Sequence, residues 1–167
     1  MKLLICISIC ILSFILNIAE ANKIYGRGLA TVMTFDNSTM DSSNVLDKRG
    51  GRGTWYSGTG LKHAACYGRK GLPEFSAKPH NMIGAMAMHH FEECYKCMKI
   101  TNNRRKSRTV IVKIIDKCAG CKVGKAIDLS PAAFRKLADL EQGVVDISWK
   151  VVRCPKDIEP RMGPKRH

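Results

Sequence analysis

Acid is scarce in this chain. Among its 167 residues, Asp and Glu number 14 against 28 Lys and Arg, a formal net charge of +14. So strong a balance points away from cationic partners and toward anionic ones: an acidic polysaccharide, a phosphate-bearing wall polymer, a membrane surface or nucleic acid. Long apolar runs are scarce too. Leu3 to Ile18 is the only one, and it is short for a membrane span, so no transmembrane segment is predicted. Lys2 precedes it and Ala19-Glu20-Ala21 follows, the pattern of a secretory signal cleaved near Ala21. Secretion then makes nucleic acid the least fitting anionic partner. The histidines His63, His80, His89 and His90 lack metalloenzyme spacing, so neither a metal nor a cofactor is expected. The folded part shows no internal repeat and no low-complexity tract.

Residues 22–49 contain no cysteine, are rich in Asn, Ser, Asp and Thr, and show no clear periodicity. Such a segment cannot bury enough apolar surface to fold alone and reads as a disordered propeptide. It ends in Lys48-Arg49, a dibasic pair resembling a kexin-type processing site, and removal there would discard the sequon Asn37-Ser38-Thr39. Residues 50–154 are the expected folded domain and 155–167 a basic tail. From residue 50 onward 23 basic and 10 acidic residues remain, a net charge of +13. The densest basic run, Arg104-Arg105-Lys106-Ser107-Arg108, reads as a solvated hairpin tip.

Cys6 and Cys10 leave with the signal, and Cys66, Cys94, Cys97, Cys118, Cys121 and Cys154 remain. An even count in a secreted domain reads as disulfides. Cys94-x-x-Cys97 followed by Cys118-x-x-Cys121 also has zinc-ribbon spacing, but that would leave Cys66 and Cys154 over. A redox pair would need a βαβ context that is not visible.

Strands are predicted over Gly53–Ser57, Ile83–Met88, Met98–Thr101 and Thr109–Ile115. Val110, Ile111, Val112, Ile114 and Ile115 form a nearly continuous apolar run, as in a fully buried strand. Val145, Ile147, Trp149 and Val151 alternate with polar residues, as in a half-buried one, and Trp149 reads as core. Met82, Met86 and Met88 read as strand packing. One helix is signalled by Ser130 as cap, Pro131 in the first turn and Ala133, Phe134 and Leu137 on one face, with Gly143 as a stop before the last strand. Short strands with one helix in a bridged chain favour a small closed β-barrel.

Five pieces, in order, resemble a known superfamily. Thr54-Trp55-Tyr56-Ser57-Gly58 with Ala65-Cys66-Tyr67-Gly68 is similar to the opening of expansin and rare lipoprotein A-like domains. Cys94-Tyr95-Lys96-Cys97-Met98-Lys99-Ile100 resembles their central strand, and Val112 to Cys118 the strand ending in Asp116. Ile127-Asp128-Leu129-Ser130-Pro131-Ala132-Ala133-Phe134 resembles their most distinctive motif, and Gly143 to Cys154 their closing strand. The resemblance implies a mainly β fold: a six-stranded double-psi β-barrel with one or two short helices, disulfide-bridged and open at a groove. By analogy with barwin it implies bridges Cys66–Cys94 and Cys97–Cys154, leaving Cys118 and Cys121 to close a local loop.

The departures bear on function. Related endoglucanases resemble the chain at Asp128, the acid, but carry a second Asp, the base, where this chain has Ser57-Gly58. Inverting hydrolysis needs both carboxyls. Rare lipoprotein A enzymes carry a histidine on the strand matched by Ala85-Met86-Ala87, where Met86 stands. Neighbouring strand residues face opposite ways, so His89 and His90 cannot both replace it. No catalytic residue is therefore assigned, Asp128 being the sole candidate acid and Asp116 an improvised base in the least favoured reading. The expansin resemblance implies a polysaccharide-binding set of Thr54, Trp55, Tyr56, Asp116 and Asp128, which hold sugar without cleaving it. The expected protein is a secreted, monomeric, non-hydrolytic binder or loosener of cell-wall polysaccharide. The alternative is a protein-binding module: an inhibitor of papain-like cysteine proteases, or a barwin-like defence protein. The bland readings are that Asp128 helps cap the helix and that Asp116 satisfies backbone donors beside the cysteine loop.

Overall fold

The computed structural model describes residues 25–36, 55–57, 61, 64–67 and 77–160. Eight strands occur among them: β1 Gly26–Val32, β2 Thr34–Asp36, β3 Trp55–Ser57, β4 Ile83–Met86, β5 Cys97–Asn102, β6 Thr109–Lys117, β7 Ala126–Leu129 and β8 Val144–Val152. Six of these close a barrel in the order β1-β7-β4-β6-β5-β8, while β2 and β3 form a separate two-stranded ribbon. Two neighbouring pairs are parallel, β1 with β7 and β4 with β6, and the other contacts around the ring are antiparallel. The fold is the mainly β, six-stranded barrel that the resemblance implies.

Two expectations about its boundaries are corrected. The segment expected to be a disordered propeptide supplies β1, which bridges β7 and β8 and so closes the ring. Pairing on both edges satisfies its backbone, and that tertiary context outweighs a polar composition that could not fold alone. Trp55–Ser57, expected as the opening barrel strand, pairs instead with Thr34–Asp36 outside the ring. Lys48, Arg49, Thr54, Ala21 and the signal segment lie outside the described residues.

Glycine is required where β1 approaches its neighbours. A Cβ on Gly28 would lie 1.8 Å from the Lys125 carbonyl oxygen, and one on Gly26 would lie 2.4 Å from the Trp149 ring. Trp149 in turn fills the barrel interior with Ile100, Val112, Ile114, Ile127, Leu129 and Val145. Met86 and Met88 join that core, and Met82 packs against it.

The helix, α1 Pro131–Leu137, begins where its cap chemistry predicts. Ser130 Oγ accepts from Ala133 N at 3.3 Å and donates to Asn81 O at 2.6 Å. Such a cap contributes about 1 kcal/mol. Ala133, Phe134 and Leu137 are buried against the barrel core. Gly143 takes φ +65° and ends the short 3-10 turn Leu140–Gln142 ahead of β8. The basic run at 104–108 forms the turn between β5 and β6.

Three bridges are present: Cys66–Cys94, Cys97–Cys154 and Cys118–Cys121. A zinc ribbon would need Cys94, Cys97, Cys118 and Cys121 as thiolates, and all four are bridged. The start of the expected tail docks on the barrel. The buried Lys113 ammonium donates to the Pro160 carbonyl, and burial lowers its pKa. Among the described residues no helix is long and apolar enough to cross a membrane.

Candidate functional site

Register places the two aspartates in one row across four strands. Thr31 on β1 pairs with Asp128 on β7, Asp128 with Ala85 on β4, and Ala85 with Asp116 on β6. Strands in a sheet lie about 4.8 Å apart, so the aspartate backbones are separated by two such steps, or about 10 Å.

Asp128 alternates along β7 with Ile127 and Leu129, which point into the barrel core, so it faces outward. Its carboxylate accepts from the Thr31 hydroxyl. It also lies within 4.8 Å of the Cys118 and Cys121 sulfurs, which their mutual bridge removes from any ligand set. The helix cap is Ser130, so the capping role considered for Asp128 falls to its neighbour two residues on. Asp116 Oδ1 accepts from Ala65 N at 2.6 Å and Lys117 N at 2.8 Å. It thereby ties the loop that carries Cys66 to the end of β6. Next to it, burial raises the pKa of the Tyr67 phenol, and the charges of Tyr95 and Asp116 add to the shift.

Both carboxylates are covered: Asp128 is 1% exposed and Asp116 6%. A second apolar cluster, including Met33, Leu61, Tyr67, Ile83, Ala85 and Ile115, packs on this side of the barrel. The site of the full-length chain is thus a buried pair of acceptors rather than an open groove.

The position that faces Asp128 is Ala85, not Met86. Met86 pairs with the inward-facing Ile127 and belongs to the core. Alanine offers no proton-transfer group, so no side chain on β4 can act with Asp128 as acid or base. His89 and His90 are exposed in the turn after β4. Their backbone N–H groups donate to Glu92 at 3.0 and 2.7 Å and, with Glu92's own N–H, hold that carboxyl down to about 2. The side chains of Trp55 and Tyr56 lie outside the described residues, as does Thr54. Thr31 is the site residue that sequence reasoning missed. The available signal was Gly26-Arg27-Gly28 just ahead of Ala30-Thr31-Val32, a glycine approach followed by β-branched residues.

Comparison with known proteins agrees with this geometry. The family profile described as lytic transglycolase, a double-psi β-barrel, matches residues 48–149. The papain inhibitor of Streptomyces mobaraensis is 55% identical over 47 residues, 28% of this chain and 32% of that protein. The probable endolytic peptidoglycan transglycosylase RlpA of Aquifex aeolicus is 30% identical over 104 residues, 62% of this chain and 41% of that protein. The chain therefore spans well under half the length of these relatives. The solved expansin of Clavibacter michiganensis superposes with a TM-score of 0.50 at 25% identity, covering 78% of this chain and 51% of that one. A match over more than half of its length, with a closed six-stranded barrel beneath it, makes this chain a member of the double-psi β-barrel family described as lytic transglycolase.

Proposed function

We propose that the protein is a secreted, non-hydrolytic binder of cell-wall polysaccharide whose sugar-binding site is built on Asp128. The observation that carries this reading is the row Thr31–Asp128–Ala85–Asp116: two acceptor carboxylates with alanine where a catalytic partner would have to stand. Ionised carboxylates accept hydrogen bonds from sugar hydroxyls, and with Asp116 held by the Ala65 and Lys117 N–H groups they bind rather than cleave. Expansin and RlpA relatives support the polymer class.

Processing at Lys48-Arg49 would remove β1, and with it the Thr31 hydroxyl from which Asp128 accepts in the full-length chain. A sugar hydroxyl then takes the place of Thr31 at the carboxylate.

The test compares intact chain with chain cut by a kexin-type protease on cellulose, chitin and peptidoglycan at low salt, scoring retention and released product together. The cut form is expected to be retained without product release, and Asp128→Asn to weaken retention at least tenfold. Retention of neither form on any polymer would remove the reading.

A second reading is inhibition of a papain-like protease. The identity of 55% to the Streptomyces inhibitor favours it, as does the burial of Asp128, since loops on a bridged barrel would then make the contact. Titration against papain separates the two, because inhibition unchanged by Asp128→Asn supports this reading alone.

A further inference from the structure

The bridge Cys118–Cys121 differs from the other two in span and surroundings. It joins residues 3 apart in the turn between β6 and β7, whereas Cys66–Cys94 and Cys97–Cys154 join residues 28 and 57 apart. The stabilisation a bridge supplies grows with the loop it closes. This one can therefore be opened and remade at the least cost to the fold, and its sulfurs stay within reach of each other when it opens. The two cysteines are not equivalent. Cys118 is 2% exposed, lies in the second apolar cluster, and donates its backbone N–H to the Met86 carbonyl. Cys121 is half-buried, and Ala119, Gly120, Lys122 and Val123 around it are exposed. Beside the pair stands Asp128: a carboxylate oxygen and both sulfurs all lie within 4.8 Å of one another.

We infer that Cys118 and Cys121 form a thiol–disulfide exchange site that oxidises paired thiols of a partner protein, with Asp128 moving the proton. The Asp128 carboxylate takes the proton of the incoming thiol, and the resulting thiolate attacks the Cys121 sulfur, the more accessible of the two. A bond forms between the partner and Cys121 as the Cys118–Cys121 bond breaks. Cys118 leaves as a thiolate inside an apolar cluster, where a bare charge is costly. Asp128 returns its proton to that sulfur, directly or through one water. The partner's second thiol then attacks the partner sulfur of the mixed disulfide, and Cys121 leaves and takes that thiol's proton. Two electrons and two protons have passed from the partner's dithiol to the bridge, and the partner carries a new disulfide. The turn stands between two strands, so Lys117 and Lys122, next to the cysteines in sequence, supply the positive field that a helix N-terminus gives other reactive thiols.

The exchange does not rest on the polysaccharide reading, and its test reads sulfur chemistry rather than polymer retention. The full-length chain, all three bridges formed, is mixed without air with a synthetic dithiol peptide. Thiols are trapped with iodoacetamide, and mass spectrometry locates the opened bridge. Cys118–Cys121 is expected to open at least tenfold faster than either long bridge, with one peptide disulfide formed for each bridge opened. Equal rates, or earlier opening of a long bridge, would overturn the site. Glutathione, which has one thiol, is expected to form its adduct on Cys121 and leave Cys118 as the free thiol. An adduct on Cys118 would overturn the assigned order of attack. Asp128→Asn is expected to slow opening at least tenfold at neutral pH. Its rate should then climb about tenfold per pH unit below the peptide thiol's pKa, as for attack by preformed thiolate alone, while the unaltered chain climbs less steeply. The same pH profile in both proteins would overturn the role of Asp128.

Discussion

The two halves of this barrel are held together differently. On the β7–β4–β6 side the outward face is covered: β4 is buried at every position, and Ile83, Ala85 and Ile115 pack beneath Leu61, Tyr67 and Met33. On the β5–β8 side the outward face is bare, and β8 alternates buried with exposed or half-buried residues from Val144 to Lys150. The covered half gains stability from a second apolar cluster. The bare half has only its inward face, and the Cys97–Cys154 bridge staples β5 to the segment that follows β8. One ring thus devotes one side to packing around two aspartates and leaves the other facing solvent.

Breaking the staple is the sharpest test of that difference. The bridge closes a separation of 57 residues, for which loop-closure entropy predicts about 4 kcal/mol. Cys97→Ser/Cys154→Ser is expected to lose about that much in denaturant unfolding. The Cys118–Cys121 bridge spans only 3 residues, and its paired serine variant is expected to lose about 2 kcal/mol on the same chain-entropy estimate. Equal losses would mean that the bare half does not depend on its staple.

Packing supplies the next comparison. Ile115 is 0% exposed on the covered face, whereas Val144 on the outward face of β8 is 38% exposed. Ile115→Ala is expected to cost about 3 kcal/mol by lost burial and cavity formation, and Val144→Ala about 0.5 kcal/mol or less. Chemical denaturation of the two variants checks the ratio. A loss at Val144 as large as at Ile115 would show that the bare face is covered in solution.

The same contrast explains what could be read from the sequence. β6 and β8 were legible because burial on two faces gives a continuous apolar run, and burial on one face gives alternation. The helix was legible through Ser130 and Pro131. β1 was not, because its outward residues include Arg27 and an exposed Leu29, and two of its seven positions are glycines required by close approach rather than by any periodicity. β7 was read as motif rather than strand: at four residues it is too short to show a period. At the site, Asp116 and Asp128 stood out as acids near a cysteine turn. Their burial depends on a cover drawn from distant residues such as Leu61, Tyr67 and Ala77, which no local pattern reveals. For the same reason Thr31, 97 residues away in sequence, could not be matched to Asp128 without the parallel β1–β7 pairing.

The covered half should also be the half that fails in alkali. Burial raises the Tyr67 phenol above its ordinary value, so the unfolded chain ionises first as pH rises. The contribution of Tyr67 is complete below pH about 10 and falls as pH climbs from there toward the folded-state value. Unfolding free energy is expected to drop between pH 9 and 11, and Tyr67→Phe to flatten that slope. The same slope in both proteins would assign the alkaline loss to other groups, Tyr25 and Tyr95 among them, whose values are also raised.

The smallest effect is expected on the bare half. Lys99 is exposed and sits directly across from Lys150. Removing one of two like charges on neighbouring strands relieves repulsion of about 0.2–1 kcal/mol. Lys99→Gln is therefore expected to raise the melting temperature by a degree or two at low salt, and the gain should disappear at high salt, where screening already hides the repulsion. A loss of stability instead would mean that Lys99 holds the barrel together through a contact of its own. A salt-dependent gain would mean that this cross-strand pair of lysines is kept at a cost to the fold.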